Sequence, residues 1–162
     1  MSRLLMVLFL FTGVFSAPAM SQPLGECLRA APELAAALGR ATNLMRHGIG
    51  LHRLDLDDQL NTVAQHHACD LARRQTISHT DRRGRTPLKR LRAMGFPACF
   101  SAENIAWGTR QPRPTIDAWQ NSPAHRLNQQ NRKATRMGFG QARGPDGRLY
   151  WVGLYARPCP AR

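Results

Sequence analysis

The chain has 162 residues, 43% of them apolar, with 23 lysines and arginines against 10 aspartates and glutamates and a formal charge of +13. That is the length of one domain with a terminal extension rather than of several domains, and it is enough to bury a core without leaning on cysteines. So much positive charge suits anionic polymers, lipid headgroups or nucleic acid. The basic residues are scattered, however, with no basic helix or aromatic-basic repeat, so a nucleic-acid partner is not expected.

Residues 1–21 read as a signal peptide. Arg3 gives a short positive start, Leu4 to Phe15 is almost wholly apolar, and Ala19-Met20-Ser21 offers small residues for cleavage after Ser21. The apolar run falls short of the about 20 residues a membrane-spanning helix needs, so the mature chain is expected to carry no transmembrane segment. Leu24-Gly25-Glu26-Cys27 only faintly resembles a lipoprotein box, and the glutamate argues against it. Cleavage leaves 22 basic and 10 acidic residues, a formal charge of +12, with Lys89 and Lys133 as the only lysines. Cys27, Cys69, Cys99 and Cys159 all survive the cut. An even number in an exported chain reads as two disulfides. Three pairings are open, and Cys69–Cys99 within the domain with Cys27–Cys159 tying the ends is preferred. The chain is expected to be secreted or periplasmic, and monomeric.

Residues 22–30 form a lead-in, 31–157 the domain and 158–162 a tail. From Pro32 the pattern is helical, with Leu34, Leu38, Ala41 and Met45 on one face, until Gly48 and Gly50 stop it. Asp57 or Asp58 caps a second helix whose buried stripe is Leu60, Ala64, His67 and Leu71. Arg82-Arg83-Gly84-Arg85 is a loop. Thr86-Pro87 is a cap followed by proline, so a short helix covers Leu88 to Met94. Glu103 to Trp107 reads as a strand and Pro114 to Gln120 as a helix, and Ser122-Pro123 repeats the cap-then-proline signal. A hairpin closes the chain, Arg136 to Ala142 and Arg148 to Ala156, joined at Gly144-Pro145-Asp146-Gly147. Helices first and paired strands last make an α+β domain.

Thr42-Asn43-Leu44-Met45-Arg46, Gln65-His66-His67-Ala68-Cys69-Asp70, Ser78-His79, Ala102-Glu103-Asn104-Ile105-Ala106-Trp107-Gly108 and Trp119-Gln120-Asn121-Ser122-Pro123-Ala124-His125-Arg126 occur in order. Met137-Gly138-Phe139-Gly140 and Tyr150-Trp151-Val152-Gly153 follow. In this order and spacing, from Ala31 to Ala156, the chain resembles the CAP superfamily, also called SCP: cysteine-rich secretory proteins, antigen 5 and plant pathogenesis-related proteins, with bacterial relatives. The resemblance implies a three-layer α-β-α sandwich around a small, mainly antiparallel central sheet. It also implies a cleft that in animal and plant members holds two histidines and two glutamates. His79, Glu103 and His125 match three of these positions. Ser122 stands where the second glutamate would be. Thr42 replaces a common histidine and Ala102 a glycine.

His79, Glu103 and His125 are therefore the candidate ligands of a divalent metal such as zinc, since two imidazoles and a carboxylate leave a coordination position open. His125 in a first helical turn is held neutral by the helix dipole, the form that binds metal. Asn104, Ser122 and Arg126 are expected around the cleft. His67 is expected to pack on its buried stripe, and Asn43 with Arg46 to form a hydrogen-bonded strut. Ser78, Ser101 and Ser122 lie near the histidines, but none sits in a Gly-x-Ser-x-Gly elbow. The functional expectation is a secreted binding module whose cleft takes a metal, a lipid, a sterol or an envelope component, with a basic surface for anionic partners. The alternative is a metal-assisted hydrolase of peptide or cell-wall material, with Glu103 as candidate general base.

Overall fold

The computed structural model describes residue 27 and residues 32–160. The expected signal peptide, the lead-in apart from Cys27, and the last two residues lie outside the described residues. In chain order the elements are α1 (Pro32–Gly48), β1 (Asp55–Leu56), α2 (Asp58–Arg74), α3 (Pro87–Ala93), β2 (Ala98–Trp107), α4 (Pro112–Asn121), α5 (Pro123–Gln129), β3 (Arg136–Arg143) and β4 (Leu149–Pro158).

One four-stranded sheet runs β1-β3-β4-β2. β3–β4 and β4–β2 are antiparallel, while the two-residue β1 joins β3 in parallel. Side chains along β4 alternate between two cores. Tyr150, Val152, Leu154 and Ala156 pack under α2 and α3. Leu149, Trp151 and Tyr155 pack with α1 and with Ile116 and Trp119 of α4. The result is the expected α-β-α sandwich. No described helix is long and apolar enough to cross a membrane.

α2 lies almost on the sheet because β3 offers it glycines. A Cβ on Gly138 or Gly140 would fall inside the α2 backbone at Leu60, Asn61, Ala64 and Gln65. Beyond the short β1, the open edge of β3 is satisfied by α2 instead of a strand. Asn61 Oδ1 accepts from Phe139 N at 2.9 Å, and Gln65 accepts from Gln141 N at 3.1 Å and donates to its carbonyl at 2.7 Å. Asp57 caps α2 through bonds from Gln59 N and Leu60 N, and Thr86 caps α3 ahead of Pro87.

Four expectations are corrected. The buried face of α1 is Ala35, Leu38, Gly39, Thr42, Asn43 and Arg46, not the Leu34–Ala41–Met45 stripe. Polar residues bury there because the neighbouring loops need donors and acceptors. Asn43 exchanges two hydrogen bonds with the backbone of Leu54, at 2.9 and 2.8 Å. Arg46 donates to the carbonyls of His52, Gln129 and Asn131. The Asn43–Arg46 strut is thus present. β2 starts at Ala98, five residues before the predicted strand, and α4 starts at Pro112, two before the predicted helix. β1, too short to carry a periodicity, has no counterpart in the sequence reading. The disulfides are Cys27–Cys69 and Cys99–Cys159, not Cys69–Cys99 and Cys27–Cys159. The cause is strand order. β2 pairs with the end of β4, Ala98 opposite Pro158, so Cys99, at a bulge, meets Cys159 with Cα atoms 4.8 Å apart.

Candidate functional site

The site is built on β2, an edge strand of the sheet. Odd residues from Ser101 onward face α2 and α3, and even ones face α4 and α5. Glu103 points to the first layer and is 4% exposed. A carboxylate buried this far needs partners, and three elements supply them. Arg90 of α3 bonds its Oε2 in a short ion pair. His79, in the 75–86 loop, meets Oε1 through Nδ1 at 2.9 Å. His67 of α2 brings Nε2 to 3.8 Å from Oε1 and bonds the Ser78 carbonyl at 2.9 Å.

These contacts fix protonation. A carbonyl can only accept, so His67 carries its proton on Nε2. Burial is the main force lowering its pKa, and the charge of Arg90 adds to it, against Glu103, which raises it. His67 is neutral and structural, as expected from its stripe, but it also holds the His79 loop. His79 is the solvent-facing member, its side chain 59% exposed. Its pKa is raised, chiefly by the hydrogen bond to Glu103, against partial desolvation. Arg90, 4% exposed, bolts the same loop down by donating to the carbonyls of His79 at 2.9 Å and Arg85 at 2.8 Å.

The other side of β2 holds α5. Asn104, fully buried, donates to the His125 carbonyl at 2.9 Å. Asn128 donates to Asn104 Oδ1 at 2.9 Å and to the Glu103 carbonyl at 3.0 Å. His125 is thereby fastened to the strand that bears Glu103. Its pKa is lowered by burial first and by the charge of neighbouring His79 second. Ser122 occupies the N-cap position of α5 without a side-chain cap bond. Arg126 is exposed and reaches back to the Gln120 carbonyl at 3.3 Å. The sequence reading misses Arg90 and Asn128 entirely. One of two arginines on a seven-residue helix and an asparagine in a polar run carry no pattern of their own.

The donor chemistry can be set against a divalent metal. Both oxygens of Glu103 are committed, one to Arg90 and one to His79, and among the described residues no three His, Cys, Asp or Glu groups are gathered as a ready-made cage. What fits is a pair of imidazoles. With Nδ1–H given to Glu103, the neutral form of His79 would offer its Nε2 lone pair to a ligand, and burial lowers the pKa of His125. Glu103 then stands behind His79 and orients it, the usual place of a carboxylate behind a metal-binding histidine.

Fold and site together define an α-β-α sandwich with an imidazole–carboxylate cluster at the edge strand. The family model "CAP: Cysteine-rich secretory protein family" matches residues 40–155, and this chain belongs to that family. It is 30% identical over 99 residues to YkwD of Bacillus subtilis (strain 168), covering 61% of this chain and 38% of that protein. Among solved structures it is similar to an outer surface protein from Borrelia burgdorferi, with TM-score 0.73, 26% identity and coverage of 79% of this chain and 95% of that one. It is also similar to an extracellular SCP-domain protein from Bacillus anthracis, with TM-score 0.69, 26% identity and coverage of 77% and 40%. The chain therefore spans about two fifths of YkwD and of the Bacillus anthracis chain.

Proposed function

We propose that this protein is an exported binding module whose cleft takes a divalent cation through His79 and His125, with Glu103 orienting His79 from behind. One observation supports this reading: the Nδ1–Glu103 bond of 2.9 Å occupies one ring nitrogen of His79 and leaves the other clear of the carboxylate on a solvent-facing side chain. A bound cation would present open positions to a ligand bearing oxygen donors. Export is supported by the two disulfides, which fit an oxidising compartment, and by the extracellular or outer-surface character of the two solved relatives.

A lipid-like ligand has a better-suited place than the polar cleft. A cavity of about 560 Å³ between α1 and α4 is lined by Ala37, Ala41, Leu44 and Ile116, with Arg40 and Arg113 beside them. Apolar walls with Arg40 at the rim suit an anionic amphiphile, while Arg113 is already paired with Asp117. Binding is favoured over hydrolysis because Glu103, the candidate general base, has no uncommitted oxygen.

Zinc titration by calorimetry tests the cleft. His79→Ala and His125→Ala are each expected to abolish binding, whereas Glu103→Gln weakens it by roughly 10- to 100-fold, as loss of an orienting carboxylate does. Unchanged zinc affinity in both histidine variants would remove the metal from the reading.

A further inference from the structure

The stretch from Arg73 to Arg92 holds eight lysines and arginines and one acid, Asp81. Three of these cations are committed inside the fold. Arg74 pairs with Asp70 at 2.8 Å and bonds the Thr80 carbonyl, Arg85 pairs with Asp81 at 2.7 Å, and Arg90 holds Glu103. Arg82, Arg83 and Lys89 are exposed and make no ion pair among the described residues.

Arg82 and Arg83 are also held in place. Gly84 N donates to the Asp81 carbonyl at 2.8 Å, closing a turn with these two arginines at its central positions. Gly84 takes φ +70, and Asp81 N closes the base on the Arg85 carbonyl at 3.2 Å. The Asp81 side chain pins the turn from within, accepting from Arg83 N and Arg85 N at 2.9 Å each and from Arg85 Nε at 2.7 Å. Burial pushes this carboxyl up, but the bonds from Arg85 and Arg83 outweigh it and hold it below its ordinary value. The loop's flanks are tied by Arg74 to Thr80 and by Arg90 to His79 and Arg85. A connecting loop has no need of a buried, fully bonded carboxylate. Here it fixes the backbone that carries two exposed arginines, three and four residues after exposed His79.

We infer that the Asp81–Arg85 turn, together with Lys89 of α3, is a docking ledge for a strand of anionic polymer bearing phosphate or carboxylate groups, passing the cleft mouth at His79. This rests on the reading of the protein as an exported binding module and adds where the polymer is held. A fixed turn spares the cost of ordering its backbone on binding, and arginine matches such anions in a bidentate way. A bilayer surface is the poorer fit. The exposed large apolar side chains nearest in sequence, Ile77 and Met94, stand outside the turn on either side, so the turn offers charge and nothing to insert.

The test titrates long-chain inorganic polyphosphate by fluorescence anisotropy at several salt concentrations, with the unfolding midpoint of each variant measured alongside. Arg82→Glu/Arg83→Glu is expected to weaken binding about tenfold or more and to reduce the salt slope by about two. Arg132→Glu/Lys133→Glu, an equal change of charge elsewhere, stays within about threefold because distant exposed charges are screened. Asp81→Ala is the sharpest arm. It raises the net charge by one, so a net-charge effect tightens binding, whereas a ledge that has lost its pin binds more weakly. Equal loss in both charge-reversed pairs, or tighter binding by Asp81→Ala, overturns the ledge. So does binding to phosphatidylglycerol vesicles without binding to polyphosphate. Zinc titration of the Arg82/Arg83 variant separates the two claims. Retained zinc binding with lost polyphosphate binding supports the ledge, and polyphosphate binding by a wild type that ignores zinc sinks the cleft reading alone.

Discussion

Arg90 and Glu103 form a buried ion pair across two layers of the fold, each side chain no more than 4% exposed. The pair couples α3 to the edge strand, and through the loop carbonyls it also sets where His79 stands. Removing one partner strands the other as an unpaired buried charge. Arg90→Met is therefore expected to destabilise the protein by about 3–5 kcal/mol. Adding Glu103→Gln should restore much of that loss, because an amide costs less to bury than a carboxylate. Urea unfolding at constant m-value measures both, and a loss below about 1 kcal/mol for Arg90→Met would deny the pair its structural role.

His67 and His79, which face Glu103, and His125 of α5 should titrate in different directions. His79 is raised above the ordinary 6.5, chiefly by its bond to Glu103, while His67 and His125 are lowered, chiefly by burial. The His79–Glu103 contribution to stability is fully present below pH about 6.5 and is lost as pH rises through the folded His79 value. The contributions of neutral His67 and His125 are present above pH about 6.5 and are lost as pH falls through their depressed values. NMR titration of the ring nitrogens is expected to place His79 above the other two, with His67 protonated on Nε2. Glu103→Gln should bring His79 down and leave His125 little changed. A His79 value below that of His125 in the wild type would contradict the pairing.

The chain is legible from its sequence wherever one residue type does one local job. Asp57, Thr86 and the glycine-bounded hairpin announce their elements through capping and turn chemistry, and the motifs around His79 and Glu103 single out two side chains that the fold brings into contact. What escapes depends on contacts between distant segments. Arg90 looks like a surface arginine until α3 is laid beside β2. Asn43 and Arg46 break the apolar periodicity of α1 because they bury to serve loop backbone, so the apolar stripe points to the wrong face. His67 sits in the core as its helix spacing implies, yet that spacing says nothing of its bond to Ser78.

Gly140 offers a test of the α2–β3 contact. A methyl group there meets the backbone of Ala64 and Gln65, which cannot yield as a flexible side chain would. Gly140→Ala is expected to destabilise by about 1–3 kcal/mol or more, as overpacking does. It should also loosen the Gln65–Gln141 bonds that close the sheet edge. Hydrogen exchange at Gln141 N, compared with that at β4 amides, reads the second effect. An Ala variant as stable as the wild type would mean that α2 stands off the sheet.

The disulfides give the last prediction, because topology rather than proximity in sequence decides them. Cys99 and Cys159 are 60 positions apart and are neighbours only because β2 returns to pair with the end of β4. Cys27 and Cys69, 42 apart, tie the segment preceding α1 to α2. Closing loops of these lengths removes similar entropy from the unfolded chain, so each bond is expected to contribute about 4 kcal/mol in the chain-entropy picture. Replacing either pair by serine should lower stability by comparable amounts. The Cys99/Cys159 variant should in addition speed hydrogen exchange at Ala98 and Phe100, at the start of the strand that carries Glu103. Non-reducing peptide mapping decides the pairing directly: a peptide joining Cys69 to Cys99 would overturn the strand order on which the site's position depends.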